Sequence, residues 1–276
     1  MSINRYMNYP SNNTIVVFIS IFIISILSRC VTNEDTKNVS SAPIKDKSIA
    51  FDIRMTLEHD PEAFTQGLVF NGDKVLESTG RKGSSWISEF DIASSTYSKK
   101  VNLDSRYFGE GITLLNGKVY QLTWKSKRGF VYDVNTFEKL DEFSYDFEGW
   151  GITHDNKHLI ISDGTNMLHY FDTLSLTEMY SNPVLDYNRK VSKLNELEFI
   201  EGYIYANQWE SDIILKIDTA SFAVANKIDL GYIVKEIKRI KPDADVLNGI
   251  AYNPKTKDVL ITGKLWPRSY LTRLNE

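Results

Sequence analysis

The segment FGEGITLLNGKVYQLTWK, Phe108–Lys125, decides the fold. It opens on Glu110-Gly111-Ile112, runs through a short apolar stretch to a turn at Asn116-Gly117, and returns as a second strand over Val119–Leu122. Short runs of this kind, bounded by Asn-Gly, read as paired β-strands. The opening phrase recurs as Gln66-Gly67-Leu68, Trp150-Gly151-Ile152, Asn195-Glu196-Leu197 and Asn248-Gly249-Ile250, at spacings of 44, 40, 45 and 53 residues. Each copy leads to its own turn (Asn71-Gly72, Asp155-Asn156, Glu201-Gly202, Asn253-Pro254) and its own second strand (Lys74–Glu77, Leu159–Ser162, Ile204–Ala206, Val259–Thr262). A third strand ends in a matched aspartate in four copies: Asp91, Asp133, Asp172 and Asp218.

A period of ~40–45 residues with up to four strands per unit is that of a β-propeller blade. Five phrases predict an all-β, five-bladed β-propeller. The last repeat has three strands before the chain ends, and IAFDIRMTL (Ile49–Leu57) alternates and precedes the first phrase. It is expected to supply the missing outer strand, closing the ring with an N-terminal strand and removing open sheet edges. The long last spacing holds YIVKEIKRI (Tyr232–Ile240), whose Ile233, Ile237 and Ile240 have helical spacing. It reads as one inserted helix packed on the ring.

Composition agrees with a folded domain. Of 276 residues, 42% are hydrophobic, 25% charged and 12% aromatic, which excludes a disordered or collagen-like chain. Lys and Arg number 32 against 36 Asp and Glu, a net charge of −4, which argues against a nucleic-acid partner. One cysteine, Cys30, allows neither an internal disulfide nor a Cys-rich zinc site. A closed ring without an apolar stripe needs no partner, so a monomer is expected.

Ahead of the repeats, Ile15–Leu27 is almost wholly apolar and too short for the ~20 residues of a membrane-spanning helix. It reads as the apolar core of an export signal. Cys30 follows at once and resembles the lipidated cysteine of bacterial lipoproteins, although Arg29 stands where that pattern has a small residue. Lipidation at Cys30, simple cleavage and an uncleaved membrane anchor all stay open. The expected organisation is a targeting segment over 1–29, a polar linker over 30–48 and the propeller over 49–276, exported to the periplasm or cell envelope.

In a propeller, the loop entering the first strand of a blade and the loop leaving the second lie at one end of the central channel. Here the first set holds Gln66, Glu110, Trp150, Asn195 and Asn248, and the second Glu77, Trp124, Asp163, Trp209 and Lys264, with Trp266 nearby. A structural repeat would place similar small or apolar residues at these positions. Acid, amide, base and indole, different in each blade, are what a pocket at the channel mouth requires. The alternative is that each residue ties its own blade together through hydrogen bonds. His154 and His158 straddle a hairpin turn, so a helical zinc-ligand pair does not apply. No metal and no organic cofactor is expected.

The phrases FTQGL, ESTG, FGEGIT, LTWK, EGWGIT, SDGT, LNELE, NQW, LNGIA and TGKLWP run in register from about Asp52 to the C-terminus. In this vocabulary the chain resembles the glutamine cyclotransferase family, the plant and bacterial type of glutaminyl-peptide cyclotransferase. The resemblance implies a five-bladed propeller that converts the N-terminal glutamine of peptides or proteins to pyroglutamate and releases ammonia, without metal. It implies that Glu110 is the catalytic general acid/base and that Lys264, Asn195 and Gln66 belong to the active site. Trp124, Trp150 and Trp209, with Phe64, would wall the small ring, and Glu77 and Asp163 would orient the substrate or its neighbours. Two other classes stay in view. One is a non-catalytic, envelope-anchored propeller that binds a peptide terminus or small ligand. The other is a calcium-dependent propeller hydrolase, which would want several acids at the channel mouth.

Overall fold

The computed structural model describes residues 47–94 and 96–275. The targeting segment, Cys30 and most of the linker lie outside the described residues. Five four-stranded antiparallel sheets follow the five phrases. The first holds Thr65–Asn71, Lys74–Thr79, Trp86–Asp91 and Thr96–Asn102. The second holds Gly109–Leu115, Lys118–Thr123, Arg128–Asp133 and Lys139–Ser144, and the third Ile152–His154, His158–Ser162, Met167–Asp172 and Glu178–Pro183. The fourth holds Leu194–Ile200, Tyr203–Gln208, Ile213–Asp218 and Val224–Asp229. The fifth runs Leu247–Asn253, Asp258–Gly263 and Arg268–Asn275, and its outer strand is Ala50–Glu58, paired antiparallel from Ala50 opposite Asn275 to Glu58 opposite Arg268.

Burial follows from this arrangement. The second and third strands of each blade are sandwiched between neighbouring blades on both faces, so they are buried in continuous runs rather than on alternate residues, polar side chains such as Glu77, Glu89 and Gln121 included. Leu76, Ile87, Leu122, Leu159 and Ile204 are fully enclosed, whereas the outer strands Thr96–Asn102 and Lys139–Ser144 are mostly exposed. The repeated aspartates have a local cause. Each accepts backbone N–H groups two or three residues on, from Ser94, from Asn135 and Thr136, from Leu174 and Ser175, and from Ala220 and Ser221. These Asx turns carry the third strand into the fourth.

The inner strands touch in a closed cycle of five. The phrase glycines mark where they meet. A Cβ on Gly67 would lie 2.6 Å from the Ile112 nitrogen, one on Gly111 2.8 Å from the Gly151 Cα, and one on Gly151 2.0 Å from the Asn195 carbonyl oxygen. Gly151→Ala is therefore expected to destabilise the protein by about 1–3 kcal/mol or more, read as a lower midpoint in urea unfolding. Glu196 breaks this glycine pattern for a reason. The inner edges have no strand partner, and buried N–H groups need acceptors. Glu196 reaches across the centre to accept Leu68 N–H on one carboxylate oxygen (3.3 Å) and Ile250 N–H on the other (2.9 Å). Glu198, two residues on, accepts Tyr252 N–H at 2.8 Å, and its burial pushes its pKa up to about 8.

The inserted helix spans Gly231–Ile240 and buries Ile233 and Ile237. Ile240, expected on the same packed face, is 44% exposed, because the helix ends there and the chain turns extended at Lys241. The linker boundary also moves. Lys47 donates to Asp186 and to the Val224 carbonyl, and Lys227 N–H donates to the Lys47 carbonyl, so residues 47 and 48 already belong to the folded body. Asp186 sits in a small hairpin, Leu185–Asp186 with Arg189–Lys190, that the repeat does not announce.

Candidate active site

One end of the ring carries a cavity of about 450 Å³. Gln66, Glu110, Trp150 and Asn195 reach it from the phrases, and Trp124, Trp209 and Lys264 from the loops leaving the second strands, with Phe64 beside Gln66. Phe108 and Asp245 also line it and were not anticipated. Phe108 was legible, since it stands two residues before Glu110 as Phe64 stands two before Gln66. Asp245 lies in the connection after the helix, where the repeat register gives no guide.

Glu110 is 5% exposed, and no protein group among the described residues hydrogen-bonds its carboxylate. Burial raises its pKa well above the ordinary range; the positive charge of Lys264 pulls it back, and the negative charge of Glu148 pushes it further up. Lys264 is equally enclosed. Burial lowers its pKa, against the attraction of Glu110 and Asp245. The two face one another without a direct ion pair among the described residues, so neither is committed to the other. An unpartnered buried carboxyl with a raised pKa beside a cation is what a proton carrier requires.

The pocket amides are held from behind. Asn248 Nδ2 donates to the Thr65 carbonyl (3.0 Å) and to Gln66 Oε1 (3.4 Å), which leaves the Gln66 Nε2 donors for the pocket. Asn248 is thus a support and does not line the cavity. Asn195 Oδ1 is buried without a hydrogen-bond partner among the described residues. The aromatic wall has two runs. Phe64, Phe108 and Trp124 pack edge to face or tilted at centroid distances of 6.2 and 5.5 Å, and Trp150 meets Trp209 edge-on at 5.6 Å.

Two more expected pocket residues do not line it. Glu77 is buried behind the wall, accepting from Thr65 Oγ1 (2.6 Å), Tyr97 Oη (2.9 Å) and the His59 ring (3.1 Å). Burial works against its charge, but His59 and the hydroxyl donors outweigh this and hold its pKa low. His59 also contacts the Trp266 carbonyl through Nδ1 (2.7 Å), so the pair ties the strand bearing Gln66 to the loop bearing Lys264. Asp163 is occupied by Thr165, whose N–H and hydroxyl it accepts, and by His169, 3.3 Å away. In both cases the carboxylate shapes the loop that carries the pocket instead of facing the cavity.

Residues 22–274 match the sequence model of the glutamine cyclotransferase family. The chain belongs to that family. It is 35% identical over 243 residues to a glutaminyl-peptide cyclotransferase of Arabidopsis thaliana, covering 86% of this chain and 75% of the relative. Its fold is similar to the crystal structure of Myxococcus xanthus glutaminyl cyclase, with a TM-score of 0.78 and 32% identity over 84% of this chain and 99% of that one. In this member of the glutamine cyclotransferase family, no group of three or more His, Cys, Asp or Glu side chains among the described residues is arranged to hold a metal ion. His59 and His169 are instead engaged by protein carboxylates, as is His158, by Asp155.

Proposed function

We propose that this chain converts the N-terminal glutamine of a peptide or protein to pyroglutamate, with Glu110 carrying the proton. The observation that supports this most is a buried carboxyl with no hydrogen-bond partner among the described residues, sharing an aromatic pocket with a lysine. The substrate holds both nucleophile and electrophile. Its α-amine attacks its own γ-carboxamide carbon, the new C–N bond closes a five-membered ring, and the C–NH₂ bond breaks. Glu110 takes the proton that the amine loses and returns it to the departing nitrogen, which leaves as ammonia. Gln66 Nε2, Asn195 and Lys264 supply donors for the oxygen as it gains charge. The aromatic wall holds the glutaminyl side chain folded back, where much of the advantage of an intramolecular reaction lies.

The pH dependence follows from these groups. Glu110 must be ionised to accept a proton, and its pKa is raised, so the rate climbs through a pH above the usual carboxylate range. The attacking α-amine must be neutral, with an ordinary pKa of ~7.7–8.0. Lys264 acts as a cation and its pKa is lowered, so the rate falls again on the alkaline side. A bell centred on mildly alkaline pH is expected for kcat/KM of a Gln-initiated peptide. A profile flat down to pH 4 would contradict both the ionised Glu110 and the neutral amine that the mechanism requires. Export to the periplasm or cell envelope, with or without lipid at Cys30, is part of the same proposal. Sequencing the mature N-terminus tests it, and a start upstream of Cys30 removes the lipoprotein version.

A further inference from the structure

Glu148 stands two residues before the third phrase, in register with the pocket residues Phe64 and Phe108. At this place the third blade has a carboxylate where the first two have rings. One of its oxygens, Oε2, accepts the indole N–H of Trp124 at 2.6 Å and that of Trp150 at 3.4 Å. These indoles come from different blades and end the two runs of the aromatic wall, so the shared oxygen joins Phe64, Phe108 and Trp124 to Trp150 and Trp209 in one arc. The other oxygen lies 3.9 Å from Lys125 Nζ at the rim, where the Glu148 side chain is 39% exposed. Trp150 is also held from behind. A Cβ on Gly164 would lie 2.5 Å from its ring, so Gly164 sets the plane of the indole and Glu148 its tip.

We propose that Glu148 is a positioning residue for the cyclisation, its carboxylate fixing the Trp124 and Trp150 indoles as the wall against which the glutaminyl side chain folds. This rests on the functional reading above. Misplacing a reacting group by about 1 Å costs on the order of 10²-fold, and a wall whose indoles turn freely no longer selects the folded-back conformer. Glu148 also brings a negative charge near Glu110, which Lys264 faces from another blade, with Asp245 also attracting Lys264. Removing that charge makes Glu110 easier to ionise.

The test uses the full chain with Glu148→Ala and Glu148→Gln. In ¹⁵N-labelled protein the five tryptophans give separate indole N–H resonances, assigned through Trp124→Phe and Trp150→Phe. The alanine variant is expected to move the Trp124 and Trp150 resonances, leave the others in place and lower kcat/KM by about 10- to 100-fold. The glutamine variant keeps an acceptor but not the charge, so it is expected to lose less activity and to move the acid limb of the pH profile to lower pH. That shift reads the charge of Glu148 beside Glu110, and the indole resonances read the anchor. Unmoved Trp124 and Trp150 resonances, or kcat/KM within twofold of wild type in the alanine variant, would overturn the proposal. If the wild type does not cyclise glutamine, the functional reading fails and the anchor is judged by binding. Weaker binding of a Gln-initiated peptide by the alanine variant, read by tryptophan fluorescence, supports the anchor, and unchanged binding overturns it.

Discussion

Glu110→Gln is expected to lower kcat/KM for cyclisation by about 10²–10⁴-fold, the usual contribution of a positioned acid/base. The substitution preserves shape. Because the Glu110 carboxylate has no hydrogen-bond partner among the described residues, an amide in its place breaks no hydrogen bond there and removes a charge that burial disfavours. Thermal stability should therefore equal or exceed that of the wild type, which separates lost chemistry from lost fold. A further sign is expected from Lys264. Without the opposing charge of Glu110, its pKa falls further. If Glu110→Gln retains more than a tenth of wild-type kcat/KM, another group carries the proton.

The largest effect on stability is expected at Glu196. Its two oxygens accept Leu68 N–H and Ile250 N–H from two different blades at the centre of the ring. Both its burial and the nearby Glu198 raise its pKa, yet even a protonated carboxyl offers acceptors to this pair. Glu196→Leu leaves both amides buried and unpartnered, at about 1–3 kcal/mol each. Glu196→Gln satisfies one amide and turns an NH₂ toward the other, donor against donor. For a domain of this size each kcal/mol lowers Tm by roughly 2–4 °C. The exposed Glu138→Gln should stay within about 0.5 kcal/mol of wild type. Calorimetry checks the order: leucine lowest, glutamine intermediate, the Glu138 variant unchanged. A Glu196→Leu protein as stable as wild type would mean that the central amides are satisfied in another way.

The architecture was legible because a blade is a local unit repeated five times. Each Asx turn at Asp91, Asp133, Asp172 and Asp218 is written within three residues, and each phrase glycine marks one close approach between neighbours. Pocket residues were legible where the repeat places a chemically odd side chain at a fixed station, as with Glu110, Trp150 and Asn195. The same rule failed for Glu77 and Asp163. Station fixes where a Cα lies, but whether a carboxylate faces the cavity depends on partners the phrase does not contain: His59 and Tyr97, 18 and 20 residues away, for the first, and Thr165 and His169 on the next turn and strand for the second. Asp245 and the hairpin at Leu185–Lys190 lie in insertions, where periodicity carries no information. Ile240 has the right spacing but sits on the final turn of its helix, so pattern alone overstated its burial.

The most direct test of the central claim is mass spectrometry of a Gln-initiated peptide incubated with the purified protein. A no-enzyme control is needed, because glutamine cyclises slowly unaided, together with a chelator-treated sample and Glu110→Gln. Loss of one ammonia per peptide, fast with wild type, unchanged by chelator and reduced to near the control by Glu110→Gln, is the predicted result. A folded wild type that releases no ammonia above the control would contradict the account and leave a propeller whose pocket binds a peptide terminus or small ligand without turning it over.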